Sequence, residues 1–443
     1  MKQGTMKFNP KISHAFLAAA LVVSPFVFAQ NPRELSISDI TKLALENHPQ
    51  LKISQKSIDI AQQQKNVLKL QQLPSVDASA NAFFIGDALV IDKDFSETMT
   101  IKMPHFGNTF AVQAKELIFK GGLVKKSLEA ADLKTQLAEL DLQNNQQNVK
   151  FLVISNYLDM LKLQNQKKVY ENNRRLATDR LDQVKKFYKQ GMITRNEVIR
   201  GELILQDLDQ ALLTISNNIN ILNFNLDQAL GLSTDTQIVP TEEVSLLEND
   251  KLQNYFLNLA YENQPALKSA NTNIEMAKKN IEIINTDKMP TLAAFGAYNM
   301  QRPITNSLPA IDMYLNTWQT GLSLTYNIDN LYKTKEKLAL GNIQKEQAED
   351  ALILTQQNVE MAVNAAYTKY TEAIQNAKIQ MESQKLAQEN YKIIEAKYLN
   401  QLAVQVEMTD ATNAKLESEL NYVTSEINVM YQYYNLLKTT GTL

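Results

Sequence analysis

The amino-acid sequence predicts a mostly α-helical protein with a small β part, built from a unit that occurs twice. The 443-residue chain contains only 12 glycines and 11 prolines, and this scarcity of helix-breaking residues is typical of long helices. A segment of the first half reappears in the second half. Each half also contains stretches in which apolar and polar residues alternate, the pattern of a strand with two different faces.

The composition excludes several classes of function. The formal net charge is -3 at pH 7, which argues against a nucleic-acid partner because nucleic-acid-binding surfaces are basic. The absence of cysteine excludes disulfides, thiolate metal sites and a lipid-modified N-terminal cysteine. The sequence has neither a phosphate-binding glycine loop nor histidines at metal-ligand spacing. We therefore expect no enzyme, no cofactor and no metal site.

Residues 1–29 have the pattern of a secretory signal peptide. Lysines precede an apolar run from Ala15 to Phe28, and the small residue Ala29 follows it. Met6 is an alternative start that leaves this signal intact. No later segment contains about eighteen consecutive apolar residues, the length of a membrane-spanning helix. The sequence thus predicts an exported protein whose membrane crossing, if it has one, uses strands.

The internal repeat is visible at several positions along the chain. The first matches have a spacing of 216 residues and the later ones a spacing of 210, so the first half is six residues longer. We place the extra residues between Pro74 and Tyr188, in the loop of a strand pair. The matching segments are Glu46–Lys52 with Glu262–Lys268, Leu73–Pro74 with Met289–Pro290, Tyr188 with Tyr398, and Leu230–Gly231 with Thr440–Gly441.

The repeat suggests two structural units joined by a linker. Each unit is expected to open with a helical stretch that ends at a proline, roughly residues 37 to 72 and 251 to 288. A strand pair and a long helical hairpin follow. The first repeat is expected to span 30–232, with strands about 74–86 and 108–120 and a hairpin 123–231 whose tip is near 191. The linker is expected to span 233–250. The second repeat is expected to span 251–443, with strands about 290–300 and 317–328 and a hairpin 330–440 whose tip is near 401.

The last strand has aromatic residues at both ends. Trp318 and Tyr326 are separated by about 27 Å if the strand is regular, close to the apolar band of an outer-membrane barrel, about 25 Å. We interpret them as membrane-girdle aromatics, although a soluble β-sandwich strand would show the same alternation. Four strands are fewer than the minimum of about eight that closes such a barrel. Several chains must then share one barrel, because open strand edges are not tolerated in lipid.

The helices after the strands are unusually long. Neither glycine nor proline occurs from Leu123 to Gln190, so this helix could extend roughly 100 Å. Apolar residues at steps of three and four predict helix-to-helix packing. Two such seams are Leu205, Leu208, Leu212, Ile215, Ile219, Leu222 and Leu226, and Leu416, Leu420, Val423, Ile427, Met430, Tyr434 and Leu437.

This order of elements and the residues at the turns resemble the TolC-like outer-membrane efflux protein family across nearly the whole chain. The resemblance is carried by Asn47–Leu51 and its copy, Leu73–Pro74, Phe119–Gly122, Tyr188–Val198, Leu230–Gly231 and Glu407–Thr412. It implies a homotrimer in which four strands of each chain contribute to a 12-stranded outer-membrane β-barrel on a long periplasmic α-helical barrel. It also implies a Gram-negative outer membrane as the location. The implied function is an exit duct of a tripartite efflux or type I secretion system, which conducts substrates passively and works with a periplasmic adaptor protein and an inner-membrane transporter.

The resemblance also implies a gate at the periplasmic tips, formed by Glu197, Tyr398, Glu407 and Asp410. Glu407 and Asp410 share a helix face, and three copies would form two acidic rings that attract cations. A solvated helix face is the simpler explanation of such a pair. An arginine that the family can place before the acids is absent, and Arg195 or Arg200 could take its role.

The turns themselves are expected to dock the adaptor, through Gly191, Met192 and Ile193 in the first hairpin and Gln401, Leu402 and Ala403 in the second. A secreted coiled-coil scaffold or adhesin without a channel is the alternative function, and a periplasmic adaptor is a third. Drugs, metal ions and polypeptides all stay open as cargo.

Overall fold

The computed structural model describes residues 32–243, 251–400 and 402–443. The predicted signal peptide, 1–29, and part of the predicted linker, 244–250, lie outside the described residues, as does Gln401. The described helices are α1 (Ile37–Asn47), α2 (Pro49–Lys69), α3 (Leu123–Lys189), α4 (Arg195–Leu230), α5 (Gln253–Asn263), α6 (Pro265–Asn285), α7 (Asn330–Leu399) and α8 (Gln405–Thr440). The described strands are β1 (Arg33–Leu35), β2 (Ser75–Phe84), β3 (Ala88–Ile91), β4 (Thr98–Ile101), β5 (Phe106–Phe119), β6 (Ile238–Pro240), β7 (Thr291–Arg302) and β8 (Leu315–Thr325).

The mostly helical fold with a small β part, predicted from the sequence, is confirmed. The order α1, α2, β2, β5, α3, α4 recurs as α5, α6, β7, β8, α7, α8. Corresponding short helices are equal in length, with 11 residues in α1 and α5 and 21 in α2 and α6. Helices α3 and α7 have 67 and 70 residues, about 100 Å each. None of the helices in the described ranges combines the length and the apolar character that a membrane span needs.

The opening stretch of each repeat is two helices and not one, which differs from the expectation. His48 and Gln264, each followed by proline, have extended backbone with ψ of 126° and 117°, because a proline ring excludes helical geometry for the residue before it. The chain therefore bends between α1 and α2 and between α5 and α6. The proline then begins the second helix, where its missing N–H costs nothing.

The repeated motifs contact each other where each hairpin returns to its starting end. Gly231 and Gly441 end α4 and α8 with φ of +67° and +74°, the left-handed conformation that glycine adopts without strain. The Asn47 amide donates to the Leu230 carbonyl at 3.0 Å. A side chain at position 441 would meet the Asn263 carbonyl at 2.9 Å. Each helical hairpin is thus anchored to the opening motif of its own repeat.

The four long strands form one antiparallel sheet in the order β2-β5-β7-β8. Ala78, Val112, Tyr298 and Trp318 lie opposite one another across the sheet and so share a face. That face is mostly apolar in all four strands. Its apolar members are Val76, Ala78, Ala80, Ala82, Phe110, Val112, Ala114, Leu292, Ala294, Tyr298, Met300, Trp318, Leu322 and Leu324. The same face also carries the polar residues Asn108, Glu116, Arg302, Asn316 and Thr320.

The opposite face of the sheet is mostly polar, and it carries Ser75, Asp77, Ser79, Asn81, Thr109, Gln113, Lys115, Asn299, Gln301, Thr317, Gln319 and Ser323. Trp318 is 77% exposed on the apolar face. Strand β8 ends at Thr325, so Tyr326 follows the strand instead of lying within it. The apolar face has no cover within the described part of the chain at Val76, Trp318, Leu322 or Leu324, all of which are exposed.

The first strand pair carries a hairpin that the sequence interpretation missed. Strands β3 and β4 lie between β2 and β5 in the sequence and pair antiparallel with each other in a separate two-stranded sheet. The connection from β2 to β5 therefore runs from 85 to 105, whereas the connection from β7 to β8 runs only from 303 to 314. The sequence did not predict β3 and β4, because strands of four residues are too short to show a clear alternation and look like part of a loop. The longer connection agrees with the proposed location of the extra residues.

The predicted linker, 233–250, contains the strand β6, which pairs in parallel with β1. Beneath this pair the Tyr157 hydroxyl is fully buried, donates to the Leu35 carbonyl at 2.9 Å and accepts the backbone N–H of Thr241 at 3.1 Å and of Glu242 at 3.2 Å. These bonds attach both ends of the first repeat to the middle of α3. The sequence did not predict β1 and β6, because strands of three residues are too short to show an alternation of apolar and polar residues.

Asp227 is a fully buried carboxylate on α4 near the end of that helix. One oxygen accepts from the Asn223 amide at 2.9 Å, and the other has no hydrogen-bond partner among the described residues. Burial, with a smaller effect from the charge of Asp235, raises the pKa of Asp227 to about 6. Because the folded state then holds a proton that the unfolded state has lost, stability should fall as the pH rises from about 4 to about 6.

We predict that Asp227→Asn stabilises the protein at pH 7 by about 1–3 kcal/mol, because the amide carries no charge and so avoids the cost of ionising a buried carboxyl, about 1.4 kcal/mol for each pH unit by which its pKa is raised. The measurement is the thermal midpoint of the detergent-solubilised variant and native protein from pH 4 to pH 8. The gain should be small at pH 4 and complete above pH 6. Asp235→Asn is the control and should give a smaller gain of the same sign. A gain independent of pH would contradict the role assigned to Asp227.

Candidate functional site at the helical tips

The two long hairpins end in turns of matching geometry. In the first, the Met192 N–H donates to the Phe187 carbonyl at 2.9 Å, and in the second the Leu402 N–H donates to the Lys397 carbonyl at 2.8 Å. Gly191 has φ of +75°, which a residue with a side chain adopts only with strain. These turns lie near the predicted positions, 191 and 401.

The residues expected to dock a partner differ in exposure. Met192 is 50% exposed and Leu402 is 77% exposed, so both present apolar surface to solvent. Ile193 is half-buried and packs against Leu181, Val184 and Val198, which close the first hairpin. Ala403 is also half-buried. Among the predicted docking residues that the structure describes, Met192 and Leu402 therefore carry the exposed apolar surface, whereas Ile193 holds its turn in place. Val404 and Val406, which follow the second turn, are exposed as well.

Glu197 and Glu407 occupy equivalent positions, the third residue of α4 and of α8. The Thr194 hydroxyl donates to the Glu197 carboxylate and holds the pKa of Glu197 below its usual value. The Glu407 carboxylate accepts the Val404 N–H at 3.0 Å. The bond to Glu407 satisfies a backbone group at the start of α8, and the bond to Glu197 joins two side chains in the first turn of α4. Both acids therefore have a structural role besides the predicted one.

Glu407 and Asp410 are both exposed, whereas Met408 and Ala411 between and beside them are buried. The acidic pair thus lies on the side of α8 that faces away from its own bundle. Tyr398 is half-buried, and burial raises its pKa, while the Arg180 charge lowers it and the Glu197 charge raises it to a smaller extent. Tyr398 of the second repeat therefore lies within electrostatic range of Arg180 and Glu197 of the first.

Arg195 and Arg200, the arginines considered as braces, act within the first hairpin. Arg195 forms a 3.5 Å ion pair with Glu202, and the charge of Arg200 contributes to the low pKa of Glu197. A different arginine, Arg180 on α3, connects the first hairpin to the second through hydrogen bonds.

Arg180 bridges α3 to both helices of the second hairpin. Its guanidinium donates to the Thr412 hydroxyl at 2.8 Å and to the Tyr391 hydroxyl at 2.7 Å, and it lies 5.6 Å from the centre of the Tyr391 ring. The Tyr391 hydroxyl in turn donates to Glu395 at 2.6 Å. Burial and the Glu395 carboxylate raise the pKa of Tyr391 to about 12. We call Arg180, Tyr391 and Thr412 the clasp.

A buried polar group lies farther from the tip than the clasp. Lys415 and Glu419 form a 2.9 Å ion pair on α8, and Asn173 on α3 donates to Glu419 at 2.8 Å and accepts from Lys415 at 3.3 Å. All three residues are buried. The Lys415 ammonium also lies 5.3 Å from the centre of the Tyr391 ring, which connects this group to the clasp. Its charges are compensated inside the bundle, as buried charges must be.

Sequence reasoning missed both groups because it followed only apolar residues. Asn173 belongs to a buried series that continues through Ala177, Leu181 and Val184, at steps of three and four. Lys415 similarly follows Met408 and Ala411 and precedes Ser418. A polar residue at such a position in a helical seam is a known means of fixing register, so the polar members of the seam were the available signal.

We predict that Arg180→Met loosens the tip of the second hairpin without unfolding the chain, because it removes both hydrogen bonds that α3 makes in the clasp. Hydrogen exchange should become faster around Tyr391 and Thr412 and stay unchanged around Tyr157. Arg175→Met is the matched control, since Arg175 is exposed on the same helix and pairs only with its own helix neighbours. Equal exchange in native protein and Arg180→Met would contradict the bracing role.

Comparisons with known proteins identify the family and the fold of the chain. The family model described as outer membrane efflux protein matches residues 40–232 and 256–442. The outer membrane efflux protein BepC of Brucella suis biovar 1 (strain 1330) is 20% identical over 436 residues, 98% of this chain and 91% of that protein.

Solved structures share the fold. A membrane protein from Pseudomonas aeruginosa has a TM-score of 0.74 at 13% identity, with 91% of this chain and 90% of that chain covered. The outer membrane protein VceC from Vibrio cholerae has a TM-score of 0.71 at 12% identity, with 91% and 96% covered. The resemblance read from the sequence is thus confirmed: the chain belongs to the outer membrane efflux protein family, a family of efflux ducts and not of enzymes, and it is an exit duct of the outer membrane.

Proposed function

We propose that three copies of this chain form one duct, with a shared β-barrel in the outer membrane and a helical tube in the periplasm, and that the helical tips are its gate. The duct would conduct substrates passively from an inner-membrane transporter and a periplasmic adaptor protein to the exterior. One observation carries the proposal, namely the sheet of four strands with one exposed apolar face and one polar face.

The sheet needs neighbours on both sides. Strands β2 and β8 are its edges, and an unpaired edge is not stable in lipid because its backbone groups lack partners there. Pairing β2 of one copy with β8 of the next removes every edge once the ring closes. Twelve strands from three copies exceed the minimum of about eight. The apolar face would then contact lipid, and the polar face would line the duct.

The helical part offers surface for the same neighbours. Leu203 and Leu213, which lie off the predicted seam of α4, are exposed, as are Ile353 and Met361 on α7. Apolar side chains repeated along rods of this length are costly in water. Contacts between copies would bury them, whereas Val429, also off a predicted seam, is already buried within the chain.

The acidic residues of α8 support a cation-selective constriction. Glu407 and Asp410 are three residues apart and exposed on one side of the helix, opposite the buried Met408 and Ala411. Around a three-fold axis they would form two rings of like charge, which attract cations and repel one another. The clasp would hold α8 in the closed position, in the role for which the expected arginine is missing.

We predict that Glu407→Gln combined with Asp410→Asn raises the single-channel conductance severalfold and lowers cation selectivity. Gln keeps an acceptor for the Val404 N–H, so the start of α8 should stay intact. The measurement is planar-bilayer recording with a salt gradient.

The matched control for the conductance measurement is Glu171→Gln with Asp179→Asn, which removes two exposed charges from α3. This control should leave both the conductance and the selectivity unchanged. Identical conductance and selectivity in the native protein and in the α8 variant would contradict the gate.

A secreted scaffold or adhesin remains the second candidate, because helical seams alone fit it equally well. Its distinguishing property is extraction behaviour. A scaffold would leave the cell envelope without detergent, whereas the exposed apolar face of the sheet requires detergent or lipid. A water-soluble monomer would therefore contradict the duct.

The tips are the proposed docking surface for the adaptor, through Gly191, Met192 and Ile193 in one hairpin and Gln401, Leu402 and Ala403 in the other. A photo-crosslinking residue at Met192 or Leu402 should form a covalent adduct with the adaptor protein in cells that produce both. The same residue at Ile343, which is exposed near the other end of α7, should form none. Adducts from Ile343 and not from the tips would contradict this assignment.

A further inference from the structure

The two connections at the same end of the sheet are unusual in their apolar character. Phe84 pairs with Phe106, and Leu315 pairs with Gln301. The β2–β5 and β7–β8 connections therefore leave the sheet at the same end of its strands. The first carries the exposed residues Leu89, Val90, Ile91, Phe95 and Met99. The second carries the exposed residues Leu308, Ile311, Met313 and Tyr314.

Both connections are ordered extensions of the sheet. The Ile85 N–H donates to the His105 carbonyl at 2.8 Å, and the Met103 N–H donates to the Asp87 carboxylate at 3.0 Å, which fixes the base of the β3–β4 hairpin. In the other connection, Arg302 and Asp312 form a bidentate ion pair at 2.7 and 3.0 Å. The Asn108 amide donates to the Tyr314 hydroxyl at 3.2 Å.

We propose that the β3–β4 hairpin of each copy packs on the 303–314 connection of the next copy. This inference rests on the proposed ring of three copies, in which β2 of one chain lies beside β8 of its neighbour. The hairpin directly follows β2, and the 303–314 connection directly precedes β8. The interface between the strands thus continues into these two segments.

Distance and charge both fit this contact. Adjacent strands are about 4.8 Å apart, and a four-residue strand extends about 13 Å, so the hairpin is long enough to reach over the neighbouring β8. Within one chain the hairpin and the 303–314 connection leave the neighbouring strands β5 and β7, yet Val90, Leu308 and Met313 stay exposed, so the chain's own hairpin does not cover this surface. The only charged residue from 303 to 314 is Asp312, which Arg302 already neutralises. The surface offered to the hairpin is therefore largely apolar and carries no net charge, with Thr305 and Asn306 as its exposed polar residues.

The second copy is a better occupant than lipid for this surface. The hairpin also carries Asp92, Lys93, Asp94 and Glu97 around its turn, and such charges keep a turn in water. Phe95, 81% exposed, lies among them, so a hydrocarbon environment would bury the charges together with the ring. A protein surface of the size of 303–314 covers one side of the hairpin and leaves its turn solvated.

Disulfide trapping tests the proposal, and the chain offers a clean background because it has no cysteine. Val90 and Ile91 are adjacent in β3 and point to opposite faces, so one of them should face the neighbour. We predict that Met313→Cys, combined with either Val90→Cys or Ile91→Cys, gives covalent trimers on oxidation for one of the two pairs and not for the other. The readout is a non-reducing gel of purified protein in detergent.

The outcomes separate this inference from the proposed function, because the mass of the native protein in detergent is measured beside the gels. A trimer by mass with no covalent product from either pair overturns the hairpin contact and leaves the duct intact. Crosslinking of Val90→Cys or Ile91→Cys alone also overturns it, since the hairpins would then meet one another. A monomer by mass overturns both proposals. One reactive pair, with unreactive single variants, supports the contact between neighbours.

Discussion

A sheet of four strands cannot satisfy its own edges, and this constraint shapes the rest of the molecule. Strands β2 and β8 each leave one side of their backbone without a partner in the sheet. The register puts apolar side chains from Val76 to Leu324 on one face. Both features cost free energy in a single soluble chain. They become favourable together when copies of the chain join edge to edge in a membrane, which is why the fold of the monomer already implies an assembly.

The helical part meets a different constraint, because a rod of about 100 Å cannot form one central core. Packing instead occurs in separate clusters along the rod. One surrounds Tyr157 and draws residues from α1, α3, α4 and α8, and a second surrounds Tyr370 and draws on α5, α7 and α8. A third, around Val198, closes only the first tip. The first tip is thus stabilised locally, and it can change without disturbing the packing around Tyr157 and Tyr370 in the middle of the rod.

The sequence predicted the features that repeat with a regular period and missed those that do not. Alternation from Trp318 to Leu324 located β8, and steps of three and four located the helices. The short strands β1, β3, β4 and β6 were missed because three or four residues give no measurable period. The break at His48 was also missed, although Pro49 gave its signal. At the site, Glu407 and Asp410 came from the family resemblance, whereas Arg180 and Tyr391 depend on how α3 and α7 cross, which no local pattern encodes.

The duplication also allows the two tips to be compared position by position, and they differ in chemistry. With the spacing of 210 residues, Tyr391 and Lys415 correspond to Leu181 and Leu205. In the first hairpin those two leucines pack in the apolar cluster with Val198. In the second, Tyr391 and Lys415 make polar contacts to α3.

This difference bears on which hairpin can move. Opening an apolar contact exposes surface at about 25 cal/mol per Å², with no compensation from water. Opening a polar contact exchanges each hydrogen bond for one to water, at a net cost of about 1.5–3 kcal/mol when one partner is charged. The contacts of the second hairpin to α3 can thus be replaced by water when they open, and this is also the hairpin that carries the acidic pair. The two tips of the duplicated chain thus differ in chemistry at equivalent positions, and this difference favours the second hairpin as the moving part of the proposed gate.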